Sequence, residues 1–264
     1  LARRVSQGDE RALDDLRPGG TAEIVSLGQQ IAEMGRSLED RRRYVQEFAR
    51  HVSHEFKTPL AALRGAIEMF EDHGDTMTST QQEKFLNNMS GDVSHLHRLT
   101  QSLLQLAKAD MQEPAQNATT NLTELLEELA LRFEDQCDIA LELPESEVYA
   151  SVSEDAIDAA LTQLIDNALV HGKTATRVTF KLSQQASSEV WIDVSDNGEG
   201  ISAGNREKVL QPFFTTAKDQ GGTGLGLAIA NRLVASQQGS LELLAHDSEK
   251  SGAHFRLQLP QGTD

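Results

Sequence analysis

The chain has 264 residues, with 24 Lys and Arg against 41 Asp and Glu, for a formal net charge of −17. That sign repels phosphate backbones and anionic lipid, which sets aside a nucleic-acid-binding role. An apolar content of 38% is enough for a folded core. The single cysteine, Cys137, can form neither an internal disulfide nor a multi-cysteine metal site, and fits a reducing compartment. No eighteen-residue stretch is free of charge, so no segment reads as a transmembrane helix. The chain opens on Leu1 and reads as a piece of a longer one.

In chain order, Ile24, Leu27, Ile31, Met34 and Leu38 recur at spacings of three and four. The register resumes from Val45 through Phe48, Val52, Phe56, Leu60, Leu63 and Ile67 to Phe70. This predicts a long helix with one apolar seam, which must find partner helices to leave water. Residues 71–80 break the pattern with Gly74 and a Ser/Thr cluster, and Thr80 with Glu83 reads as a capping box opening a second helix. Its stripe is Phe85, Met89, Val93, Leu96, Leu99, Leu103 and Leu106. The two helices are expected to form an antiparallel hairpin, and two copies a dimeric four-helix bundle.

Residues 113–120, with Pro114, read as a linker. Beyond it Asn121 and Glu124 open another helix. Short alternating runs at 138–143, 177–182, 190–194, 241–244 and 254–259 predict strands, with helices at about 153–169 and 223–237 between them. The expected fold class is α plus α/β, with a helical hairpin followed by an α/β sandwich of one sheet and one helix layer. Trp191 is expected in the core, and Cys137 to be unreactive.

The segment Ser53-His54-Glu55-Phe56-Lys57-Thr58-Pro59-Leu60 lies inside the first helix. Pro59 removes one hydrogen bond and crowds the Glu55 carbonyl, at about 3 kcal/mol. His54 and Thr58 share a face, with Glu55 about 100° round the axis beside both. A carboxylate beside an imidazole can hold one ring nitrogen protonated and leave the other as a nucleophile. His51 is followed by Val52 and lacks that acid.

Three clusters follow in the second half. Gln163-Leu164-Ile165-Asp166-Asn167-Ala168 sits in an amphipathic helix, where Asn167 offers an amide oxygen to a hard cation. Asp196-Asn197-Gly198-Glu199-Gly200-Ile201 follows an apolar strand, and its carboxylate can accept from an exocyclic amine. Gly221-Gly222-Thr223-Gly224-Leu225-Gly226-Leu227 leads into a helix, a phosphate cradle of free N–H groups. It is neither a dinucleotide fingerprint nor a P-loop. Between the last two, Pro212-Phe213-Phe214 and Lys218 suit a mobile flap with an aromatic anchor.

In order and spacing these clusters resemble the cytoplasmic core of a two-component sensor histidine kinase, over about residues 41–260. Ser53–Leu60 resembles the H-box, Gln163–His171 the N-box, Asp196–Ile201 and Gly222–Leu227 the two glycine boxes, and Pro212–Phe214 the F-box. The resemblance implies a dimerisation and phosphotransfer hairpin at 41–112, a linker at 113–120, and an ATP-binding domain of the gyrase and mismatch-repair type at 121–264. It implies that His54 takes the γ-phosphoryl group of ATP with Glu55 as base, and that Thr58 serves a reverse, phosphatase activity. Asn167, with Gln163, would hold Mg²⁺, and Asp196 would bind the adenine amine. His171, Gly198, Gly200, Ile201, Phe214, Lys218, Gly222, Thr223, Gly224, Leu225 and Gly226 would line the nucleotide. The phosphoryl group would pass to an aspartate of a response regulator receiver domain.

Residues 1–40 resemble part of a HAMP signal-relay module. This implies a bacterial inner-membrane parent anchored only through upstream segments. Gln163 stands where the family has Asn, and Val170 where it has a basic residue; both depart from the pattern. A related ATPase or serine kinase, and a dimeric scaffold with a decayed site, are the rival readings. Residues 121–160 carry twelve acidic side chains and one basic, whereas 161–232 carry seven of each. Most of the acidity therefore precedes the nucleotide-binding boxes, and the nucleotide segment itself carries no net repulsion.

Overall fold

The computed structural model describes residues 22–111, 118–172, 176–185, 188–217, 222–244 and 252–262. Residues 1–21 of the HAMP-like segment, most of the linker, Lys173 and Lys218 lie outside the described residues. The chain divides into units of residues 1–61 and 62–264. Helix α1, Ala22–His73, runs for 52 residues and stays helical through Pro59. In the first unit its seam faces solvent in the single chain, with Met34 and Leu38 each 65% and Val45 55% exposed.

In the second unit, α1 ends in a 3₁₀ turn at Gly74–Thr76, and helix α2 runs from Ser79 to Met111. The hairpin closes through an edge-on contact of Phe70 and Phe85, with ring centroids 6.5 Å apart, and a bond from Gln82 Nε2 to the Gly74 carbonyl at 2.9 Å. The capping box is not Thr80 with Glu83 but Thr78 with Gln81. The Thr78 N–H donates to Gln81 Oε1 at 2.9 Å and the Gln81 N–H to Thr78 Oγ1 at 3.4 Å. The Thr-x-x-Gln and Thr-x-x-Glu patterns overlap, and the extended Met77 places Thr78 just before the first free helical N–H groups.

After the short strand β1 (Thr120–Asn121), helix α3 spans Leu122–Arg132. Asn121 Oδ1 accepts from the N–H groups of Thr123 and Glu124, as its sequence position predicts. Strands β2 (Asp138–Glu142) and β3 (Tyr149–Ala150) precede helix α4 (Glu154–His171). Then come β4 (Arg177–Gln185), β5 (Glu189–Asp196), helix α5 (Gly226–Ser236), β6 (Ser240–Leu243) and β7 (His254–Pro260). Five strands form one sheet in the order β2-β4-β5-β7-β6, and only the β2–β4 pair is parallel.

Alternation decides the layers. Val178, Phe180 and Leu182 on β4, Val190, Ile192 and Val194 on β5, and Phe255, Leu257 and Leu259 on β7 are all buried. Leu161, Leu164, Ile165 and Ala168 on α4, and Ile229, Leu233 and Val234 on α5, supply buried apolar side chains of the helix layer. Trp191 departs from its expected core position. It points to the opposite face of β5, half-buried, with the Arg256 guanidinium 4.1 Å above its ring. Arg256 is held there by two bonds to Asp193, at 2.6 and 2.8 Å. Cys137 is buried, and burial followed by the neighbouring Asp138 charge pushes its thiol pKa up, which opposes reactivity.

Candidate nucleotide-binding site

A cavity of about 710 Å³ opens among α4, the end of β5, the residues before α5, and α2. Gln163, Asn167, His171, Asp196, Gly200, Ile201, Phe214, Gly222, Thr223, Gly224 and Gly226 all line it. The fold therefore gathers residues from four of the five sequence clusters into one place.

Asp196 lies where β5 leaves the sheet. Its Oδ1 accepts from the N–H of Gly198 at 2.7 Å and of Ala253 at 3.2 Å. Among the described residues no hydrogen-bond donor or cation is placed on its second oxygen, which remains free for a ligand amine. Burial raises the Asp196 pKa, opposed by the two backbone N–H bonds and by His171. The loop after Asp196 is tied to β4, because Asn197 Oδ1 accepts from the Arg177 N–H at 2.9 Å while its own N–H donates to the Arg177 carbonyl at 3.2 Å.

Two residues of this cradle have no counterpart in the sequence reading: Gly252 and Ala253. Gly252 has φ +113°, and a Cβ there would stand 1.7 Å from the Asp196 carbonyl oxygen, so only glycine lets β7 start so close to the Asp196 turn. A glycine two residues before a strand was the available signal. The other unforeseen wall is α2, whose His97, Arg98, Gln101, Ser102 and Gln105 line the same cavity. Helical spacing alone does not say which foreign surface a polar face meets.

The phosphate end is built from backbone. Helix α5 starts at Gly226 with no side-chain cap, so its first N–H groups are available to an anion. Gly224 has φ +67°, and its Cβ position would lie 2.5 Å from the Phe213 carbonyl carbon, which packs the second glycine cluster onto the Phe213-Phe214 segment. Two expected nucleotide contacts resolve differently. Leu225 is fully buried and faces the core, because it is the residue at which the chain turns into α5. Gly198 does not line the cavity, and acts on the site by donating to Asp196. Among the described residues no group of three His, Cys, Asp or Glu could hold a metal ion.

In the first unit, His54 is 74% exposed. Its Nδ1 lies 3.7 Å from Glu55 Oε1. Thr58 donates through its hydroxyl to the His54 carbonyl at 3.3 Å.

Residues 44–112 match the His Kinase A (phospho-acceptor) domain, and residues 152–263 match the histidine kinase-, DNA gyrase B-, and HSP90-like ATPase. The sensor histidine kinase WalK of Bacillus subtilis is 28% identical over 90% of this chain and 39% of its own length. The sensor histidine kinase MtrB of Mycobacterium bovis is 29% identical over 89% of this chain and 42% of its own. The chain thus spans about two fifths of these relatives. Among solved structures, histidine kinase ThkA in complex with response regulator TrrA aligns with a TM-score of 0.65 at 21% identity, over 87% of this chain and 66% of that one. The Acinetobacter baumannii histidine kinase AdeS aligns with a TM-score of 0.57 at 22% identity, over 80% and 98%. These likenesses show the fold. With a phospho-acceptor helical region and an ATPase domain in succession over most of its described length, the chain belongs to the histidine kinase family.

Proposed function

We propose that the chain is the kinase core of a two-component sensor, which phosphorylates His54 from ATP and passes the phosphoryl group to an aspartate of a response regulator. The observation that carries the nucleotide half is the Asp196 carboxylate, locked on one oxygen by two backbone N–H groups and open on the other, in a cavity that ends at the uncapped start of α5. That donor and acceptor set fits an adenine amine at one end and phosphates at the other. His54 is the acceptor, since its Nδ1 sits beside Glu55 while the exposed ring leaves Nε2 able to attack.

In the transfer, Nε2 bonds to the γ-phosphorus as the bond to the β–γ bridging oxygen breaks, releasing ADP. The Glu55 carboxylate, 3.7 Å from Nδ1, stabilises the positive charge that develops on the ring. When bound, Mg²⁺ would neutralise charge on the phosphates, with Asn167 and Gln163 as the residues to hold it. Thr58, with its hydroxyl directed to the His54 carbonyl, keeps its lone pairs free to orient a water against a phospho-aspartate. The exposed α1 seam supports a homodimer, since a second copy would cover it. The HAMP-like start and membrane anchoring belong to the same reading; among the described residues no helix is long and apolar enough to cross a membrane.

The test is incubation with labelled ATP followed by mapping of the label. Acid-labile, base-stable phosphate on His54 is expected, lost in His54→Gln with nucleotide binding intact. Acid-stable phosphate on a serine, or no phosphate despite tight binding, would refute the reading.

A further inference from the structure

The nucleotide cavity holds three carboxylates, Asp166, Asp196 and Glu199, yet among its described lining residues Arg98 is the one Arg or Lys side chain. Arg98 is exposed and makes no ion pair among the described residues. Among the described lining residues, a polyphosphate entering this cavity finds one guanidinium to set against three carboxylates.

The position of Arg98 along α2 is set by a second contact. Near the end of α2, Asp110 pairs with Arg232 of α5, and the two helices pack together. Further back along the same helix Gln105 lines the cavity together with Gly226 and Leu227 at the start of α5, and Arg98, two turns before Gln105, lines it too.

We infer that Arg98, carried on the phosphotransfer hairpin rather than on the ATP-binding domain, is a phosphate-binding residue for the nucleotide. The proposal rests on the kinase reading above and adds a coupling to it. A nucleotide with phosphates bridges the cavity to α2 and strengthens their docking; docking reciprocally strengthens nucleotide binding. A nucleoside without phosphates does neither. Val170, the uncharged residue on α4 that lines the same cavity, leaves this cationic role to another element. A guanidinium is suited to it through its forked donors.

The experiment compares binding of a non-hydrolysable ATP analogue and of adenosine to the full chain and to Arg98→Gln, by calorimetry. The analogue should bind Arg98→Gln about tenfold more weakly, the loss expected for one charge-assisted contact, while adenosine binds both equally. Arg98→Lys should recover part of the loss. In an Asp110→Asn background, where docking is loosened, the Arg98→Gln effect should shrink, a non-additivity that a purely local role would not produce. Analogue affinities within twofold of each other, an equal loss for adenosine, or strict additivity with Asp110→Asn would overturn the proposal. A parent chain that binds no analogue at all would instead refute the kinase reading beneath it.

Discussion

Asp196→Asn separates binding from folding. In the parent, Oδ1 accepts from Gly198 and Ala253, and the second oxygen is left to the ligand. The asparagine must keep its single oxygen toward those two N–H donors, so its NH₂ turns into the cavity. An adenine amine then meets a donor where it had a carboxylate. Loss of one hydrogen bond to a charged acceptor costs about 2–3 kcal/mol, which weakens adenosine binding by about 30- to 150-fold. Stability moves the other way. Because burial holds the Asp196 pKa above its unfolded value, ionisation costs the fold stability. That cost is absent below the unfolded pKa and complete above the folded one. At neutral pH the uncharged amide should therefore melt no lower than the parent.

Calorimetry with adenosine, which carries no phosphate for Asp166, Glu199 or Arg98 to act on, gives the affinity; thermal unfolding gives the stability. A 6-oxo purine nucleoside, which presents an acceptor at that position, should lose its disadvantage in the variant. The same linkage predicts that parent affinity for adenosine falls as pH drops through the raised Asp196 pKa, since the amine needs the carboxylate. Adenosine affinity within threefold of the parent would refute the reasoning, as would a loss accompanied by a markedly lower melting temperature.

Three further outcomes follow from single residues. Gly252→Ala should destabilise the second unit by about 2 kcal/mol or more and abolish nucleotide binding, since a Cβ meets the Asp196 carbonyl oxygen at 1.7 Å; a normal melting temperature would contradict the cradle. Asn121→Ala should cost about 1 kcal/mol through loss of the α3 cap and leave nucleotide affinity unchanged, checked by denaturant unfolding. Thr58→Ala, at an exposed position, should spare His54 phosphorylation and slow dephosphorylation of the regulator. Equal loss of both activities, or of neither, would remove Thr58 from the reverse reaction.

The parts legible in the sequence are those whose physics is local. The long apolar seam of α1, the Asn121 cap, the five strands of the main sheet and the uncapped glycine-rich start of α5 each depend on a window of a few residues, and each appears within a residue or a few of its expected place. Order and spacing of the boxes were enough to name the family. Tertiary structure decided what depends on which chain segments meet. It placed Trp191 on the outer face through strand pairing, turned Leu225 into the core, and moved the capping box from Thr80 to Thr78 through the geometry of a tight turn. It also brought Ala253 to Asp196 across 57 residues, and the polar face of α2 to the nucleotide cavity. A carboxylate's open oxygen, and a guanidinium that reaches the cavity from another helix, are properties of contacts between distant segments, which periodicity and spacing along one chain do not encode.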